Sequence, residues 1–98
     1  MYRIDLTKQA QKDATLLESA GLKKKAASFI RIVRINPFQN PPPYEALKGD
    51  RKGAYSRRIN RQHRFIYEVL PNTENLKDEN GIPYQGIIKI IRMWTHYE

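Results

Sequence analysis

Four prolines within seven residues, Pro37 and Pro41, Pro42 and Pro43, constrain this chain more than any other feature of it. Proline fixes its own φ, carries no amide donor and pushes the preceding residue toward extended backbone, so neither a helix nor a central strand can run through this stretch. The fold must therefore be assembled from two halves joined by a stiff connection. The hydrophobic spacing differs on either side of it.

Before the prolines the spacing is helical. Residues 2–6 first alternate Tyr2, Ile4 and Leu6 with Arg3 and Asp5, which predicts a short half-buried strand. Thr7 is placed to cap a helix running to about Ala20, with Ala10, Ala14 and Leu17 along one face. Gly21 suits the left-handed position that ends such a helix. A second helix is predicted over 22–36, where Leu22, Ala26, Phe29, Ile30 and Val33 share one side and Lys23, Lys24, Lys25, Arg31 and Arg34 the other. Pro37 stops it.

After the prolines the spacing is that of strands. Residues 55–60 and 63–70 flank a very short turn at Arg61-Gln62 and predict an antiparallel hairpin. In its second strand Phe65, Tyr67 and Val69 face one way, and Arg64, Ile66 and Glu68 the other. Residues 71–85 are polar and turn-rich, with Asn80-Gly81 as the expected tip. Residues 87–97 read as a last strand, apolar enough for a central place. The expected fold is α+β in the order β-α-α-β-β-β, a twisted antiparallel sheet with two N-terminal helices packed on one face. At 98 residues this makes a single domain spanning 1–98.

Charge narrows the partners. Lys and Arg number 18 against 10 Asp and Glu, a net +8. Between Lys48 and Arg64 there are seven basic residues and one acidic, a net +6 in that stretch alone. Arginine predominates there, and its planar fork binds phosphate oxygens in pairs, so the stretch suits RNA better than it suits a merely solvated, protective sheet edge. Cysteine is absent, which excludes disulfides, thiolate nucleophiles and sulfur-bound zinc. With two histidines and no tight carboxylate cluster, neither a metal site nor a cofactor is expected. Residues 1–6 lack the apolar run of a signal peptide and no segment has transmembrane length, so the expected location is cytoplasmic, with no membrane partner.

Three residues fit one reaction. Cleavage of RNA by internal transfer needs a base for the ribose 2′-OH, positive charge on the phosphorane and an acid for the departing 5′-oxygen. Glu45, Arg64 and His96 supply a carboxylate, a guanidinium and an imidazole that titrates near neutrality. Each has a plainer explanation by itself. Glu45 is one surface carboxylate among several, Arg64 could pair with Glu68 on its own strand face, and a histidine so near the C-terminus is usually just solvated.

The motifs Tyr44-Glu45-Ala46-Leu47-Lys48-Gly49, Gly53-Ala54-Tyr55-Ser56-Arg57-Arg58-Ile59-Asn60, His63-Arg64-Phe65-Ile66-Tyr67 and the final His96-Tyr97 strongly resemble the Txe/YoeB toxins of the RelE/ParE superfamily. The resemblance implies a ribosome-dependent endoribonuclease that cuts mRNA in the ribosomal A site. It makes Glu45 the general base, His96 the general acid and Arg64 the transition-state stabiliser. Tyr97 would orient the substrate, and Lys48 and Arg58 would hold phosphates, with Arg57 and Arg61 completing the RNA-binding surface. It also implies an acidic antitoxin partner of the Phd/YefM type, and a homodimer is compatible with it. Two departures stand out. The 71–85 connection is longer than the family's short turn, and Glu98 follows Tyr97, adding a carboxylate that would favour charged imidazole if it approached His96. The rivals are a ParE-like toxin that inhibits a topoisomerase by contact and a basic RNA-binding domain without catalysis. The former requires neither Glu45 nor His96, and the latter leaves their positions unexplained.

Overall fold

The computed structural model describes residues 1–94. Strand β1 (Arg3–Leu6) leads into helices α1 (Lys8–Ser19) and α2 (Lys23–Ile35). After the proline segment come β2 (Glu45–Ala46), a short 3-10 turn (Gly49–Arg51), β3 (Ala54–Arg58), β4 (Arg64–Leu70) and β5 (Ile87–Arg92). The five strands form one sheet in the order β1-β5-β4-β3-β2.

Local chemistry sets the helix ends as expected. The Thr7 hydroxyl accepts from the Ala10 amide at 3.0 Å, satisfying one of the orphan donors of the first turn. The same hydroxyl donates to the Ile91 carbonyl at 2.9 Å, which ties the start of α1 to the end of β5. Gly21 takes φ +76° in the turn between the helices. Ala10 and Leu17 of α1 and Ala26, Phe29 and Val33 of α2 are buried against Phe65, Tyr67, Ile88 and Ile90 of the sheet. Phe29 meets Phe65 edge-to-face at 5.7 Å, the preferred geometry for two ring quadrupoles. Phe65 and Tyr67 thus face the helices and Arg64 the other side, as the alternation predicts.

Two features of the sheet differ from the sequence expectation. It is mixed rather than antiparallel, because β1 runs parallel to β5 with Arg3 beside Ile87 and Leu6 beside Ile90. The reason lies in where α1 must begin. Thr7 bonds to Ile90 and Ile91, so β1 has to end at the same end of the sheet as β5, and that makes the pair parallel. The sheet also has five strands rather than four, since Glu45–Ala46 adds an edge strand antiparallel to β3. β5 lies between β1 and β4, the central place its apolar content predicts. The 71–85 connection folds on itself. Asn72 Nδ2 donates to the carbonyls of Leu76 and Tyr84, and the tip is closed by Asp78 accepting from the amides of Asn80 and Ile82. Among the described residues no helix is long and apolar enough to cross a membrane.

Candidate functional site

β2, β3 and β4 bring three of the expected residues to one end of the sheet. Glu45 lies opposite Ser56 in the β2–β3 register, and Arg58 lies opposite Arg64 in the β3–β4 register. Residues two apart on a strand share a face, so Ser56 and Arg58 point to the side that Arg64 and Glu45 also occupy. The result is an open pocket of about 200 Å³ lined by Pro43, Tyr44, Glu45, Ser56, Arg58 and Arg64.

Within it Arg64 Nη1 donates to Glu45 Oε1 at 2.9 Å, and its 3.4 Å approach to Ser56 Oγ is a longer contact. The Arg64 side chain is 21% exposed and that of Glu45 61% exposed, so the carboxylate reaches solvent while the guanidinium is largely held by the wall. The pairing of Arg64 with Glu68 on the same strand does not form; β2 supplies a nearer carboxylate. Arg58 and Arg64 are directly opposed like charges, an arrangement that disfavours the empty pocket and favours an anion between them. The paired oxygens of a carboxylate or of a phosphate diester match a guanidinium fork.

The other expected residues divide. Lys48 is exposed at the start of the 3-10 turn, and Arg61 is exposed in the β3–β4 turn; neither lines the pocket. Arg57 corrects the sequence expectation. Placed with the RNA-binding arginines, it is instead 1% exposed, because strand alternation turns it toward the helix side while its neighbour Arg58 faces out. Its guanidinium donates to the carbonyls of Pro37 and Pro42 and to the Tyr67 hydroxyl. Burial pushes the Tyr67 phenol above its ordinary value, with the Arg57 charge opposing, so the phenol stays protonated and donates to the Pro37 carbonyl at 2.6 Å. His96 and Tyr97 lie outside the described residues, as does Glu98.

Sequence reasoning passed over Ser56 and Tyr44 as site residues. The signal for Ser56 is its place two residues before Arg58 on the same strand face, and for Tyr44 its place directly after the prolines. Phe38, Tyr44 and Tyr55 pack ring against ring at 5.1 to 6.0 Å beside the pocket. Among the described residues no three His, Cys, Asp or Glu side chains gather in a way that could hold a metal ion.

The fold has counterparts among solved structures. A YoeB/ParE toxin from Agrobacterium tumefaciens is 27% identical, with a TM-score of 0.78 over 97% of this chain and 99% of that one. The Staphylococcus aureus YoeB dimer is 27% identical, with a TM-score of 0.72 over 98% of each chain. A YoeB-YefM complex from the same organism superposes at a TM-score of 0.69, at 27% identity and 99% coverage of both chains. No curated protein sequence matches the chain at a significant level. The model of the YoeB-like toxins matches residues 6–97, nearly the whole length. The chain belongs to the family of YoeB-like toxins of bacterial type II toxin-antitoxin systems.

Proposed function

We propose that this toxin is an endoribonuclease that cuts mRNA within the ribosomal A site by general acid–base catalysis carried by its own side chains. The observation that carries the reading is the Glu45–Arg64 pair at 2.9 Å in a pocket that Arg58 also lines. A carboxylate open to solvent beside two guanidinium groups is what attack by a ribose 2′-OH requires. Glu45 takes the 2′-OH proton, and the 2′-oxygen forms a bond to phosphorus. Arg64 stabilises the charge of the phosphorane, and Arg58 and Lys48 hold neighbouring phosphates. The P–O5′ bond then breaks, leaving a 2′,3′-cyclic phosphate. The departing 5′-oxygen takes its proton from His96, and Tyr97 orients the nucleotide; these two roles rest on the family resemblance.

Partners follow from the same reading. The net charge of +8 suits both an RNA-rich assembly and an acidic antitoxin. YoeB from Staphylococcus aureus occurs both as a dimer and in complex with YefM, which supports an antitoxin of that type, and self-association, for this chain. An activity on ribosome-bound message places the protein in the cytoplasm.

In vitro translation with mapped mRNA ends tests the reading. Wild type should cut within A-site codons, and Glu45→Ala and His96→Gln, folded by circular dichroism, should each lose about 10²–10⁴-fold in cleavage rate. Intact message at toxin excess would end the nuclease reading, and inhibition of a topoisomerase would then be the assay to run.

A further inference from the structure

Arg57 presents an unusual expense. It is 1% exposed, yet no carboxylate lies within ion-pair distance of it among the described residues. A buried guanidinium without a counter-ion costs more than an aliphatic side chain of the same length, so packing alone does not account for it. Its compensation comes from dipoles and ring faces. Nη2 donates to the Pro37 carbonyl at 3.0 Å, Nη1 to the Pro42 carbonyl and Nε to the Tyr67 hydroxyl at 3.2 Å. The guanidinium carbon also lies 5.1 Å from the centre of the Tyr44 ring.

These contacts are not scattered. The two carbonyls bracket the proline segment, one at each end, and Tyr67 holds the first of them a second time. Tyr44 leans on the same guanidinium, and Glu45 is the next residue. Glu45 needs such support. Its strand is two residues long, exposed, and paired on one side only, to Tyr55 and Ser56 of β3. A two-residue edge ladder cannot by itself hold a carboxylate within a few tenths of an ångström of its productive place.

We propose that Arg57 is the positioning residue for Glu45: one guanidinium ties both ends of the proline segment to the core and so fixes Tyr44 and Glu45 against Arg64. The proposal rests on the nuclease reading for its kinetic consequence, but not for its structural one. It assigns the first arginine of the Arg57-Arg58 pair to architecture and the second to the substrate.

Two variants separate this from general destabilisation. Arg57→Lys keeps the charge but has no planar fork to span two carbonyls, and Arg57→Met keeps length and packing without donors. Amide hydrogen exchange on the full chain is the first readout. In both variants the amides of residues 44–47, including the Leu47 amide bonded to the Ala54 carbonyl, should exchange about 10-fold faster or more, with β4 and β5 protected as in wild type. Unchanged exchange at 44–47 overturns the proposal, and so does acceleration spread evenly over the molecule. The second readout is cleavage. Arg57→Lys should lower kcat about 10-fold or more with KM within about 2-fold. Added to Glu45→Ala, it should change the residual rate less than about 2-fold, whereas a purely structural role would lower both backgrounds alike. Wild-type kcat in Arg57→Lys overturns the proposal. A wild type that cleaves nothing ends the nuclease reading instead, and the exchange data then judge the brace alone.

Discussion

Asp13 has no exposed surface, and its carboxylate accepts from Arg92 Nε and from the Met93 amide, both at 2.9 Å. Burial alone would raise its pKa. The bonds from Arg92, Met93, Gln9 and the Trp94 backbone outweigh it and hold the carboxyl below the ordinary value of 3.8. A carboxyl with a lowered folded pKa stabilises the fold above its unfolded value, and that contribution is lost as pH falls through the folded one. Chemical denaturation of wild type should therefore show stability dropping below about pH 4, a component that Asp13→Asn lacks. At neutral pH the same substitution should cost about 2–3 kcal/mol, less than a fully enclosed pair because Arg92 is 32% exposed at its side chain. Asp13 was legible in principle. The spacing that buries Ala10 and Leu17 also points Asp13 inward, but a composition-based reading of a helix face discounts a lone acid. Arg57 was misread for a related reason. Charge density counts arginines, whereas strand alternation decides which of two neighbours sees solvent.

The elements themselves were largely written in local signals: Thr7 as cap, Gly21 as terminator, Pro37 as stop and the 61–62 turn. The sheet edges were not. A strand of four residues such as β1 carries no mark of its partner's direction, and β2 exists only because β3 offers an open edge to a chain already extended by prolines. The end of the 71–85 connection shows how tightly these elements meet. A Cβ on Gly86 would sit 2.7 Å from the Leu70 carbonyl oxygen and 3.0 Å from the Tyr2 ring. Gly86→Ala must therefore push β1 or β4 away from the start of β5, because a backbone oxygen cannot swing aside. We expect a loss of about 1–3 kcal/mol in a urea melt and faster amide exchange at the β1–β5 pairing, with the Glu45–Arg64 pocket unaffected.

For the molecule as a whole, the chain's positive charge is sorted by the fold. Of the seven basic residues between Lys48 and Arg64, Arg57 is withdrawn into the interior while Lys48, Arg51, Lys52, Arg58 and Arg61 remain exposed. Binding of a short single-stranded RNA should weaken with salt accordingly. In anisotropy titrations Arg58→Ala should reduce the log–log salt slope by about 0.7, the value for one phosphate contact on a single strand. Arg57→Met should leave the slope unchanged, since a buried guanidinium releases no counterions. Taken alone, the sequence determined the helices, the hairpin, the net positive charge and the family, because each is fixed by short-range spacing, proline and glycine geometry, composition or an ordered motif. Tertiary structure alone decided that β1 runs parallel to β5, that Glu45 rather than Glu68 meets Arg64, and that Arg57 supports the site from behind. Those outcomes depend on which segments meet across dozens of residues, and no local pattern carries that information.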